Sequence, residues 1–196
     1  MKRNLITAVL MTVATTILLG IVYPMVVTGL AQAFFRDKAN GQLIVRDGKA
    51  IGSRIIAQPF TGAGYFHPRA SAAGTNGYDA TNSGGTNYGP TNKKLIDRVQ
   101  ADLAAAQSEN PGKPVPVDYV TTSASGLDPD ITPANAEFQA VRVARERGVA
   151  EPQIMELVSK HTEERQLLLL GEARVNVLEL NLDLDARYPM VKRASR

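Results

Sequence analysis

A chain of 196 residues with 44% hydrophobic and 21% charged residues lies in the ordinary globular range, long enough for one core beside an appendage. It has no cysteine and only two histidines, His67 and His161, far apart in the chain, which excludes disulfide frameworks and thiolate sites and argues against a histidine-rich metal centre. The net charge is +3, but setting Lys2 and Arg3 aside leaves 20 basic against 19 acidic residues; with no basic run beyond Lys93-Lys94, this argues against a nucleic-acid partner.

Leu5 to Phe35 contains no charged residue over 31 positions. As a helix this run extends about 46 Å at 1.5 Å per residue, against a hydrocarbon core of roughly 30 Å, so one spanning helix fits. Residues 1–35 are read as a membrane anchor with its core at about 6–28. Thr7, Thr12, Thr15, Thr16 and Thr28 can bond back to preceding carbonyls, which satisfies their hydroxyls in lipid. Pro24 is expected to kink the helix, and Tyr23 to sit at a headgroup boundary or against another helix. Ala31-Gln32-Ala33 and Lys2-Arg3 imitate a cleavable signal peptide. The apolar run is too long for an h-region of roughly 7 to 15 residues, which favours a retained anchor. Lys2, Arg3 and the free amine favour a cytoplasmic N-terminus, Arg36 and Lys38 oppose it, and a long following domain translocates largely regardless of nearby charge. Residues 36–196 are therefore expected outside the cytoplasm. Ala8, Thr12, Thr15, Thr16 and Gly20 either let another helix approach closely or are simply tolerated, and the sequence leaves both open.

Leu43 to Arg46, Asp47-Gly48 and Lys49 to Gly52 read as a β-hairpin, because Asp-Gly suits the type I′ turn. Ile55-Ile56-Ala57 can extend that sheet until Pro59 ends it. Gly74 to Asn92 then repeats Thr-Asn at 75, 81, 86 and 91 among five glycines. Such a run turns the chain and has little to bury, and loops of this length are either functional or disordered. Thr91 or Asn92 caps a helix to about Ser108, whose stripe of Leu95, Ile96, Val99 and Leu103 is expected in the core.

Asn110 to Pro116 interrupts regular structure, and Val117 to Val120 is expected as a short strand. Thr132-Pro133 starts a helix that Arg147-Gly148 stops. Asp128 and Asp130 are expected to complement the positive end of that helix, against the alternatives of ion binding or a partner contact. Pro152 starts another helix with Ile154, Leu157, Val158 and His161 on one face, His161 capping carbonyls or packing. Segment 175–185 stays open: Leu178, Leu180, Leu182 and Leu184 alternate as in a strand, while Asn176 could cap a helix. The fold class expected is α+β, one N-terminal transmembrane helix followed by a single mixed α/β extracytoplasmic domain.

The sequence has no G-x-x-x-x-G-K-[ST] loop, and Gly84-Gly85 is too little for a nucleotide site. Neither a G-x-S-x-G elbow nor an S-x-x-K activates Ser123 or Ser125. A membrane-anchored hydrolase would need His67 or His161 as base with a third group to orient it, and no spacing supplies one.

A set of short motifs carries a resemblance: Gly52-Ser53, Gln58-Pro59-Phe60, Tyr65-Phe66-His67-Pro68-Arg69, Tyr78-Asp79-Ala80, Ser83-Gly84-Gly85, Gly89-Pro90-Thr91-Asn92 and Thr122 to Pro129. Val141 to Ala144, His161-Thr162-Glu163 and Leu170-Gly171-Glu172 continue it, with Tyr23-Pro24 in the anchor. The chain resembles, over nearly its whole length, the C subunit of the Kdp-type potassium-transporting ATPase of bacteria. It departs from that pattern at Ala70, Ala173 and Asp130. The resemblance implies an accessory subunit of the inner membrane with no active site or cofactor of its own. Its implied partners are a potassium-selecting channel-like subunit, a P-type subunit that hydrolyses ATP, a small single-span subunit, and the lipid bilayer. Such subunits have also been proposed as catalytic chaperones that raise the ATP affinity of the P-type subunit. That role conflicts with the topology above, because ATP is cytoplasmic. On these grounds the Thr-Asn loop and the Asp128 segment are expected to dock on the channel-like subunit. The partner- or ion-facing candidates are Asp79, Asn82, Asn87, Tyr88, Asn92 and Asp128, with Asp79 and Asp128 raising the local cation concentration. The alternatives are a freestanding extracytoplasmic binding module or the hydrolase.

Overall fold

The apolar N-terminal run folds as α1 (Lys2–Ile17), a π-helical turn (Leu18–Val22) and α2 (Tyr23–Phe34). In this computed structural model, which describes residues 1–190, these join into one helix of 33 residues, long and apolar enough to cross a membrane. Thr7, Thr12 and Thr15 donate to the carbonyls of Arg3, Ala8 and Met11, four residues back, at 3.0, 2.9 and 2.8 Å. Just ahead of Pro24, where a kink is expected, the helix carries the π turn. Pro24 has no N–H for a carbonyl four residues back, and its ring crowds that turn. The ladder widens just ahead of it, Tyr23 N–H bonding to Leu18 O, five residues back.

Compactness divides the chain at Ile51/Gly52. The first unit holds the helix, a single turn α3 (Arg36–Ala39), and the start of the hairpin β1 (Leu43–Arg46) and β2 (Lys49–Ser53). Asp47 (φ 52°) and Gly48 (φ 74°) are both left-handed, as a type I′ turn requires. Ile55 to Ala57 does not extend the hairpin. Ser53 Oγ accepts from Ile55 N–H and turns the chain, leaving one isolated bridge between Ser53 and Ile56.

The second unit comprises α4 (Lys93–Glu109), α5 (Val117–Val120), β3 (Asp130–Ile131), α6 (Pro133–Arg147), α7 (Glu151–Lys160), β4 (Thr162–Glu163), β5 (Arg174–Asn176) and α8 (Val177–Arg187). The strands form one antiparallel sheet in the order β3-β5-β4, with Val175 facing both Ile131 and Thr162. Around Val175 gathers the core: Ala136, Ala140 and Val143 of α6, Ile154, Leu157 and Val158 of α7, Val177, Leu180 and Leu184 of α8, and Phe66 from the loop region. Each large side chain buried there is worth roughly 1.5–3 kcal/mol.

The start and stop of α6 follow the sequence. Thr132 Oγ1 accepts from Asn135 N–H, and Gly148 ends the helix at φ +65°. Segment 175–185 takes the helical alternative, since Leu178, Leu180, Leu182 and Leu184 all lie in α8 and the strand β5 covers only Arg174–Asn176. β5 ends at Asn176, whose side chain then caps α8 by accepting from Glu179 N–H.

Three expectations are corrected. Val117 to Val120 is a helical turn, not a strand, because it begins at Pro116 and buries the Asp118 carboxylate against Thr132 and Asn135. The α4 stripe is not core: Leu95, Val99 and Leu103 are half-buried, Ile96 is exposed, and only Ala106 is buried. Asp128 and Asp130 do not complement the α6 terminus. Arg69 and Arg174 hold them in ion pairs of 3.2 Å each, and Asp118 takes the place expected of them.

Candidate functional site

The glycine-rich run Gly74 to Asn92 is a loop tied down at several points. Ser71 Oγ donates to Gly126 O and accepts from the N–H groups of Ala73 and Tyr78 at 3.1 and 2.7 Å. Tyr78, itself left-handed at φ 55°, donates its hydroxyl to Arg69 O at 2.9 Å. Its pKa rises through burial. Gly84 N–H and Ser83 Oγ both donate to Ser125 O at 2.9 Å. A methyl group on Gly85 would lie 2.8 Å from Ala124 O, so the two segments meet backbone to backbone.

Arg69 fastens the other side of the 121–128 segment. Its guanidinium donates to Thr122 O at 3.0 Å, to Thr121 Oγ1 at 3.3 Å and to Asp128 Oδ2 at 3.2 Å. The Asp128 Oδ1 atom accepts from Asp130 N–H. Ala57 N–H donates to Leu127 O at 3.0 Å, so segment 121–128 lies between the loop and the chain that follows the hairpin.

Of the six candidate residues, Asp79, Asn82, Asn87, Tyr88 and Asn92 are exposed and Asp128 is half-buried. The structure brings residues 79–84 and 125–128 together through the bonds at Ser125 and Gly126. Asn92 stands apart as the N-cap of α4, its side chain accepting from Lys94 N–H at 2.9 Å. Asp79 accepts from the hydroxyl and N–H of Thr81 at 2.7 and 2.9 Å, and these bonds lower its pKa. Among the described residues Asp79 forms no ion pair, whereas the charge of Asp128 is offset by Arg69.

A lattice of buried polar side chains holds the aromatic run before the loop, and sequence reasoning missed it. Asn181 bonds both backbone groups of Phe66, at 2.9 and 2.8 Å. Gln139 does the same for His67, at 2.8 and 3.0 Å. Arg142 donates to the carbonyls of Ala63 and Tyr65, and Arg147 to those of Gly64 and Tyr188. Side chains thereby replace the missing strand neighbour. The sequence signal was polar residues at core spacing on α6 and α8: Asn135, Gln139 and Arg142, then Asn181 between Leu180 and Leu184.

Beside this lattice lies a cleft of about 470 Å³ lined by Pro59, Phe60, His67, Tyr78, Tyr119 and Gln139, among others. His67 Nε2 donates to Gly62 O at 3.0 Å, and burial together with the Arg142 charge lowers its pKa. Tyr119 donates to Glu109 at 3.0 Å, and burial and that carboxylate push its phenol up to about 12. His161, expected to cap or pack, meets Asp183 Oδ2 at 3.0 Å in a cluster with Lys160 and Arg187. Among the described residues no group of three or more potential ligands could hold a metal ion.

The family model described as K+-transporting ATPase, c chain (KdpC) matches residues 5–186. The potassium-transporting ATPase KdpC subunit of Koribacter versatilis is 70% identical over 190 residues, covering 97% of this chain and 98% of that protein. The protein of the same name in Rhodospirillum rubrum is 54% identical over 97% of this chain and 99% of its own length. In Acidobacterium capsulatum a further one is 55% identical over 95% of this chain and 100% of its own length.

Proposed function

Since the chain belongs to the KdpC family of potassium-transporting ATPase c chains, we propose that it is the non-catalytic accessory subunit of an ATP-driven potassium uptake pump. Its N-terminal helix spans the bacterial inner membrane with the N-terminus in the cytoplasm, and residues 36–196 lie outside. It assembles with a channel-like subunit, a P-type ATPase subunit and a small single-span subunit. Its docking surface is the Thr-Asn loop with segment 125–128. One observation carries this reading: the loop is fastened backbone to backbone on segment 124–126 while Asn82, Asn87 and Tyr88 remain exposed. An ordered surface with spare amides and an aromatic ring suits a protein partner. Cation focusing rests on Asp79, because Arg69 offsets the Asp128 charge. Catalytic chaperoning of ATP binding would act through the partner subunits, since the chain has no phosphate-cradling loop.

The test replaces Asn82 and Tyr88 by alanine in the full complex, solubilised in mild detergent. Loss of co-purifying subunits with an unchanged urea unfolding midpoint is the expected result. Full co-purification removes the loop as a docking surface. A topology reporter fused at the C-terminus checks the orientation, and a cytoplasmic signal would revive direct contact with ATP.

A further inference from the structure

Four consecutive leucines, Leu167 to Leu170, stand in solvent between β4 and β5. Their exposures are 84, 82, 80 and 59%. Gln166 and Leu170 exchange hydrogen bonds of 2.9 Å in both directions. Within them, Leu169 N–H donates to Gln166 O across a turn whose central residues, Leu167 (φ 53°) and Leu168 (φ 61°), are both left-handed. Such a turn ordinarily takes Asn-Gly. Leucine is strained there, and in water its side chain is wasted. Two local penalties fall on the same residues, and a contiguous apolar tip of this kind marks a contact.

We propose that this tip inserts into the interfacial layer of a lipid bilayer, a contact separate from the docking surface of the Thr-Asn loop. Four of the five amides of residues 166–170 are satisfied within the segment, which lowers the cost of leaving water. The N–H groups of Gln166, Leu168, Leu169 and Leu170 all donate to carbonyls of residues 165–170. The collar of the tip has no basic excess, with Arg165 and Arg174 against Glu163, Glu164 and Glu172. Arg165 pairs with Glu172 at 2.6 Å, and Arg174 with Glu163 at 2.7 Å. Without a basic excess the match is to zwitterionic headgroups rather than to an anionic surface. Four leucine side chains also fall well short of the roughly 800 Å² per partner of a standard protein interface. Acyl chains need no complementary pocket, and the chain's own apolar helix keeps a bilayer at high effective concentration.

The chain contains no tryptophan, so Leu168→Trp in the full chain gives a single reporter. In phosphatidylcholine vesicles, insertion gives blue-shifted emission that lipids brominated on the acyl chains quench. Emission indifferent to bromine overturns the proposal. A second variant combines Leu167→Asn and Leu168→Gly, which suit the turn, with Leu169→Trp as reporter. It keeps the fold and is expected to lose the quenching, so persistent quenching counts equally against insertion. If the tip instead seats on a partner subunit, Leu168→Trp stays unquenched in vesicles and the Asn-Gly variant fails to co-purify with the pump, which also overturns the proposal.

Discussion

A Cβ added at Gly126 would lie 2.7 Å from both Ala73 N and Gly84 O, on a backbone at φ +66°. Gly126→Ala therefore meets left-handed strain of about 1–3 kcal/mol and a clash with two backbone atoms that cannot swing away. The expected result is a lowered urea midpoint together with loss of co-purifying subunits, because the Thr-Asn loop must lift off segment 124–126. Asp183 sets a second prediction at this scale. Hydrogen bonds from His161 and Arg187 hold its carboxyl well below the usual carboxylate range. The folded state then binds fewer protons there than the unfolded one, so this stability is complete above the unfolded value of about 3.9 and is lost as pH falls below it. Asp183→Asn is expected to be less stable at pH 7 and to show a flatter acid limb in urea unfolding between pH 5 and 2. An acid limb as steep as that of the parent chain would remove Asp183 as its source. Sequence could name Thr132 as a cap because a cap acts on its own neighbours. It could not name Asp118, which reaches Thr132 N–H and Asn135 Nδ2 from 14 and 17 residues upstream. Asp128 and Asp130 looked like that carboxylate by adjacency alone.

Helical periodicity reports that one face is apolar and says nothing of what covers it. On α8 the buried set Val177, Leu178, Leu180, Asn181 and Leu184 follows helical spacing, while the alternating leucines that imitated a strand include Leu182, which is only half-buried. On α4 the same spacing at Leu95, Val99 and Leu103 leads to a face half open to solvent. Two leucines on two amphipathic helices should thus differ sharply. Leu180→Ala, at 0% exposure in the core cluster, is expected to cost about 2–5 kcal/mol. Leu103→Ala should cost about 1 kcal/mol or less, since most of the side chain's surface transfer is incomplete there. Urea unfolding of the two variants measures the difference. Equal losses would mean that the α4 face is covered in the folded chain. The π turn before Pro24 belongs to the same scale. Sequence located the disturbance at the proline, but the way the ladder absorbs it, by one five-residue bond at Tyr23, depends on how the whole preceding turn relaxes.

At the scale of the whole molecule, the α+β class and the single apolar helix were legible, because both follow from composition over long runs: 31 uncharged positions, then alternating caps, stops and apolar faces. Compactness places a break at Ile51/Gly52, inside β2. The core explains why the break lies there. Every buried member of the cluster falls between Phe66 and Leu184, and the hydrophobics packed on it fall between Phe60 and Tyr188. The polar lattice of Gln139, Arg142, Arg147 and Asn181 likewise closes on residues 63–67 and 188. Among the described residues, none before Gly52 belongs to either set. A fragment that begins at Gly52 therefore retains its whole core and should unfold in urea as one cooperative transition, with near-UV circular dichroism and fluorescence of its tyrosines coinciding. Stability within about 1 kcal/mol of the full chain in detergent is expected, because the lost residues remove no buried side chain from the cluster. A broad, probe-dependent transition would mean that the first unit is needed for the second to fold, and that membrane insertion precedes folding of the domain.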